Sequence, residues 1–192
     1  MTLFLIGLAI FFGLHVYSAV RSRHAEHDLK ERLGYGAFMS GYSLLSLIGF
    51  GLIIYGYGAT RGMGVLYVSP VWLKHVNLAL MIPALILLVA SQIPAGRIKK
   101  IAKHPMLLAV KLWALGHLLA NGELNSVILF GSFLAYAIFD RIMVKRRGDN
   151  GPGPEVVLDA KMDGIALVGG LAVWGAIAFW LHPVLFGVPA IS

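Results

Sequence analysis

Six apolar runs of membrane-spanning length, joined by short loops, constrain this 192-residue chain more than any other feature it has. A hydrocarbon core about 30 Å thick is crossed by about 20 apolar residues in a helix. In lipid every backbone N–H and C=O must be satisfied internally, so such runs read as helices. They are expected at about residues 2–19, 35–59, 71–90, 103–123, 126–144 and 163–181. Hydrophobic residues make up 58% of the chain and charged residues only 13%, about half the charged share of a soluble domain. Together these predict an all-α, polytopic membrane helix bundle of about six transmembrane helices. Residues 1–192 are expected to form one domain, with little room for a soluble one beside it.

The basic residues order the runs. The first loop carries Arg21, Arg23, Lys30 and Arg32; the third Arg97, Lys99, Lys100 and Lys103; the fifth Arg141, Lys145, Arg146, Arg147 and, further on, Lys161. The second loop has Arg61, with Lys74 just inside the third run, and the fourth loop and both termini have none. Lys and Arg accumulate in cytoplasmic loops, so the odd loops are expected in the cytoplasm and both termini outside. The expected location is a membrane that the chain crosses several times. The first run is not expected to be a cleaved signal peptide, because its basic cluster follows the apolar stretch.

The formal charge of +7 does not point to nucleic acid. It is divided among short loops, where it sets topology and meets anionic lipid head groups. The expected partner is the bilayer, and the oligomeric state stays open. Zero cysteines exclude disulfides, thiolate metal sites and a cysteine nucleophile. No Gly-rich phosphate loop follows a strand, and no carboxylate pair lies in the apolar core. Histidine is left as the candidate metal ligand.

The most polar of the apolar runs, KHPMLLAVKLWALGHLLANGE, holds His104, Lys111 and His117. Ionisable groups inside a membrane are costly and normally face the protein interior. At about 1.5 Å per residue, His15 lies about 9 Å from the cytoplasmic end of its run, Lys111 about 10 Å deep, and His117 about 20 Å from the mouth of its run. His75 shares the outer half with His117. Depth therefore pairs His75 with His117, and His15 with His104 or Lys111. Facing histidines in an apolar bundle are a way to hold b-type haem. The competing reading is that a membrane histidine ties helices together by hydrogen bonds. His104 also simply opens a helix with Pro105 at its first position. Lys111 either snorkels to the surface or pairs with a propionate or an acidic substrate group. Gly36, Ser40, Ser43 and Ser46 are expected to form a close-packing face, and His24 and His27 a solvated loop pair. His182 is expected at the outer membrane edge.

Three stretches resemble the NnrU family, which includes the plant 15-cis-zeta-carotene isomerase. FGLHVYSAVRSR resembles a first-helix His-x-x-x-Ala motif ending in Arg. KHPMLLAVKLWALGHLLANGE resembles the family's central block, and LHPVLFG its C-terminal His-Pro. The resemblance spans nearly the whole chain. It implies a membrane protein holding haem b, with His15 and His117 as the iron ligands; on that reading His75, His104 and Lys111 are expected to surround them or to form a substrate wall. It further implies redox or nitrogen-oxide chemistry linked to denitrification, or isomerisation of an apolar polyene. The chain looks closer to the bacterial branch, which implies a multi-pass protein of the inner (cytoplasmic) membrane of a bacterium, and Ala114 stands where the isomerase has a cysteine. Two alternatives accompany this reading. One is a non-enzymatic accessory protein for membrane assembly. The other is a small membrane methyltransferase, suggested by the His-Pro opening and weakened by the lack of acidic residues after the last helices.

Overall fold

In the computed structural model, which describes residues 1–21 and 28–191, helices form where the apolar runs predict them. The first run is α1 (Thr2–Val20). A short helix, α2 (Leu29–Leu33), follows the first loop, and Gly34 at φ +80° turns the chain into α3 (Tyr35–Ala59). Pro70 stands directly before α4 (Val71–Gln92). A second short helix, α5 (Arg97–Ala102), leads to α6 (Pro105–Ala120). Then come α7 (Leu124–Arg146) and α8 (Ala160–Ala176), which continues through a π-helical turn at Ile177–Leu181 into α9 (His182–Phe186). Five of these stretches are long and apolar enough to cross a membrane; α6, at 16 residues, is shorter than that length. Its ends explain the difference. Pro105 cannot extend a helix upstream, and Asn121-Gly122 leaves it for a bridge between Glu123 and Val65. The chain is a multi-pass helical membrane protein. Its outer faces carry bare apolar side chains, Leu47 at 66% exposure and Val168 at 70%, a surface suited to lipid rather than water.

The long helices pack side by side in the order α3, α1, α7, α6, α4, α8. Glycines set the close contacts. A Cβ on Gly56 would lie 2.6 Å from Phe4 Cα, and one on Gly170 2.5 Å from Ile86 Cα. The α1–α3 contact thus uses Gly7, Gly49 and Gly56, all buried. The expected face of Gly36, Ser40, Ser43 and Ser46 is not used: Gly36, Ser40 and Ser43 are exposed. Small residues permit a close approach, but a partner helix selects which of them it meets.

The loops divide between two ends of the bundle. At one end Arg147 donates to Ala19 O (2.6 Å), Asp159 N to Ala95 O (3.1 Å), and the Asp163 carboxylate accepts from Arg97 N (3.0 Å) and Ile98 N (2.9 Å). These contacts join the ends of the first, third and fifth loops, the basic ones. At the other end Leu66 N donates to Gly122 O (2.7 Å), and Arg61 bonds Phe186 O. There Asn125 and Ser126, fully buried, tie α7 to α3: Tyr57 Oη and Ser126 Oγ are 2.9 Å apart, and Asn125 Nδ2 donates to Tyr57 O at 3.1 Å. Buried polar groups with complete partners fix helix register without the cost of an orphan.

Candidate functional site

His117 sits one turn before the end of α6. Its Nδ1 is 2.9 Å from Trp113 O. A carbonyl can only accept, so Nδ1 carries the proton and Nε2 keeps its lone pair. The ring stacks on Phe130 of α7, with centroids 4.6 Å apart, and Trp113 packs on Phe130 in turn. Asn121 Nδ2 donates to His117 O at 3.0 Å. The loop before α4 covers this helix end. Ser69 Oγ donates to Leu119 O (2.6 Å), and Tyr67 Oη reaches Asn121 O (2.9 Å) and Leu118 O. Carbonyls that a helix C-terminus leaves open are satisfied in this way.

His15 repeats the arrangement on α1. Its Nδ1 donates to Phe11 O at 2.7 Å, its ring stacks on Phe11 at 4.1 Å, and Tyr42 and Tyr136 each lie 5.6 Å away. Nε2 is again the atom left with a lone pair. Two apolar cavities flank this part of α1. One, of about 330 Å³, is lined by residues including Leu14, Tyr17, Phe38 and Tyr42; the other, of about 320 Å³, by residues including Phe12, Val16 and Tyr136.

The remaining candidates are spread out. His75 is exposed on α4, and Asn77, two residues on, is the side chain that meets α6: its Oδ1 would lie 2.4 Å from a Cβ on Gly116. His104 is at the basic end, with Nε2 3.2 Å from Asp149 O and 3.6 Å from its carboxylate. Lys111 is half-buried on α6, the neighbour of α7, which carries Arg141. His182 lies within electrostatic reach of His117, and its own Nδ1 donates to Val188 O at 2.7 Å. His24 and His27 lie outside the described residues. Sequence reasoning missed the roles of Asn77 and Arg141. Arg141 read as one more topology-setting cation, although its position three residues inside the apolar run at 126–144 was a signal of burial.

The donor set suits haem: two imidazoles in aromatic surroundings, each with its tautomer fixed by a hydrogen bond from the other ring nitrogen, as metal-ligating histidines usually are. Room between the two is another matter. α7 separates α1 from α6, and the rings of Phe11, Phe133 and Trp113 form a contact chain between the two imidazoles, with centroids 5.7 and 5.3 Å apart along it. Neither cavity is lined by a histidine. Ligation by both at once requires those rings to shift. Among the described residues no three His, Asp or Glu side chains converge as a metal site.

Comparison with known proteins leaves one relation. No curated protein and no solved structure matches the chain. The family model described as NnrU protein matches residues 3–190, and on that near-complete match the chain belongs to the NnrU family.

Proposed function

We propose that this protein is a membrane haem-b protein in which His117 is an iron ligand and His15 the second imidazole. One observation carries the reading. The buried-face histidines do not tie helices together: His15 and His117 each spend Nδ1 on a carbonyl of their own helix, four residues back. The ties between helices are made by other groups, among them Tyr57 with Ser126 and Trp174 with Leu78 O. That argues against the accessory-protein alternative, in which the histidines serve as helix glue. Among the described residues neither Nε2 has a hydrogen-bond partner, which leaves its lone pair for another task.

Bound haem would supply one-electron chemistry at iron, on which redox sensing, nitrogen-oxide chemistry and polyene isomerisation all draw. The chain's own residues would hold the ligands. The Trp113 and Phe11 carbonyls fix each tautomer and raise ligand basicity. Phe130 and Phe11, stacked on the imidazoles, hold the ring planes. Tyr67, Ser69 and the bridge at Glu123 close the outer end of α6 above His117. With no cysteine in this chain, ligand exchange through a thiol is not available.

The test is an absorption spectrum of the full chain purified from haem-replete membranes. The expected result is a Soret band that is lost in His117→Ala, altered in coordination in His15→Ala, and unchanged in His75→Ala, the exposed control. A parent protein without a Soret band, or a His117→Ala spectrum equal to the parent's, sinks the proposal.

A further inference from the structure

Two cations stand inside the basic end of the bundle without a partner. Lys111 is six residues past the start of α6 and Arg141 five before the end of α7. At about 1.5 Å per residue both lie about 8–9 Å in from that end. They come from the neighbouring helices α6 and α7, at matching depth. Both are half-buried. Arg141 Nη1 is buried with no hydrogen-bond partner, and neither side chain makes a hydrogen bond or ion pair among the described residues.

The chain's carboxylates are committed or distant. Asp28 pairs with Arg21, Asp149 lies against His104, and Asp140, next to Arg141 in sequence, turns to Arg147 at 3.9 Å. Asp159 caps α8 and Asp163 caps α5. Glu31 and Glu155 are exposed, Glu123 is at the opposite end, and Glu26 lies outside the described residues. Two like charges at this depth repel each other, and burying a charge is costly unless it is paired. A structural purpose would be served better by Leu or Met. What such a pair offers is a guanidinium fork and an ammonium at one depth between two packed helices, the kinds of group that recognise carboxylate and phosphate.

We propose that Lys111 and Arg141 form an oxyanion-binding site between α6 and α7, which takes the anionic head of an amphiphile lying in the bundle wall. The chemistry fits two sources: the phosphate of an anionic phospholipid from the adjacent leaflet, as basic pockets between membrane helices do, or a propionate of haem. The site itself does not depend on the haem reading; only the second source does.

The full chain in a neutral maltoside detergent is the starting material. Phosphatidylglycerol, set against phosphatidylcholine, probes the first source by its effect on the thermal unfolding midpoint. Haem, set against its dimethyl ester, probes the second by spectroscopic titration. The expected result is that the parent prefers the anionic member of at least one pair. Lys111→Met and Arg141→Met each weaken that preference by about fivefold, the effect of about 1 kcal/mol per basic residue. Arg141→Lys, which keeps the charge, retains most of it. Without ligand, Arg141→Met raises the unfolding midpoint, because it removes a cation whose Nη1 is buried and unpartnered; a purely structural residue would lower it. A parent that distinguishes neither pair overturns the site without any variant. So does a preference that survives in Lys111→Met and Arg141→Met. A lipid preference without haem binding keeps the site while the haem proposal falls.

Discussion

The glycines around His117 show how single residues decide what this bundle tolerates. A Cβ on Gly122 would lie 1.8 Å from Tyr67 O, a backbone atom held by the loop that covers α6. One on Gly116 would meet the end of the Asn77 side chain at 2.4 Å, and one on Gly131 would meet nothing within 4 Å. Overpacking costs about 1–3 kcal/mol, whereas Ala in place of Gly gains up to about 1 kcal/mol in a helix interior. Gly122→Ala is therefore expected to destabilise by the full overpacking cost. Gly116→Ala should cost less, because Asn77 can turn aside and its Oδ1 gives up no hydrogen bond. Gly131→Ala should be neutral or stabilising. Unfolding midpoints of the three variants in one detergent check the order, and Gly122→Ala behaving like Gly131→Ala would contradict the loop's position. At this scale the sequence revealed kinds of residue better than directions. The depth of His117 was legible from its distance to the charged ends of its run. That His75 turns outward while Asn77 turns to Gly116 was not, because two residues apart on a helix is a rotation of about 200°, and boundary uncertainty of a residue or two is enough to exchange them.

Among the elements, the opening of α6 is the most constrained. Ala102 O accepts from His104 N at 2.6 Å, with Lys103 between them at φ +61°, ψ −58°. This is a γ-turn of the rare, strained kind, and Lys103 is the one non-glycine with positive φ among the described residues. The turn lets Pro105 start α6 immediately after α5. It is held from outside by the fifth loop, where Gly151, at φ +84°, packs so closely that its Cβ would be 2.7 Å from Lys103 Cα. A residue in such a region stores about 1–3 kcal/mol, and glycine adopts it freely at an entropic cost of about 0.5–1 kcal/mol. Lys103→Gly is accordingly expected to stabilise the protein by about 1 kcal/mol in neutral detergent, and Lys103→Ala, which keeps the Cβ, to bring no gain. Equal midpoints for the two variants would mean the turn is relaxed. The sequence marked the start of α6 through His-Pro but gave no sign of the strain before it. A γ-turn has no residue signature of its own; it is imposed by the geometry of two helices that must meet within two residues. The span of α3, by contrast, was legible to the residue, since Gly34 and the break at Thr60 act locally.

For the whole molecule, the charge pattern and the fold make the same division by independent routes. Counting Lys and Arg separates odd loops from even ones. The hydrogen bonds from Arg147 to Ala19, Asp159 to Ala95 and Arg97 to Asp163 gather the odd loops at one end, and those of Leu66 with Gly122 and Arg61 with Phe186 gather the rest at the other. The fold alone does not say which end faces the cytoplasm; the positive-inside rule does, because Lys and Arg resist transfer across the bilayer. A chain without cysteine gives a direct test, since any introduced thiol is the sole site of labelling. Asn150→Cys at the basic end is expected to resist a membrane-impermeant maleimide in sealed right-side-out vesicles and to react once they are permeabilised. Met63→Cys and Val188→Cys at the opposite end should react in sealed vesicles. The reverse pattern would invert the topology. It would place the Lys111 and Arg141 pair in the outer leaflet, and it would put His117, a turn from the loop-covered end of α6, on the cytoplasmic side. Labelling of both ends in sealed vesicles would instead mean that the bundle inserts in two orientations, which a difference of thirteen basic residues against one or two should prevent.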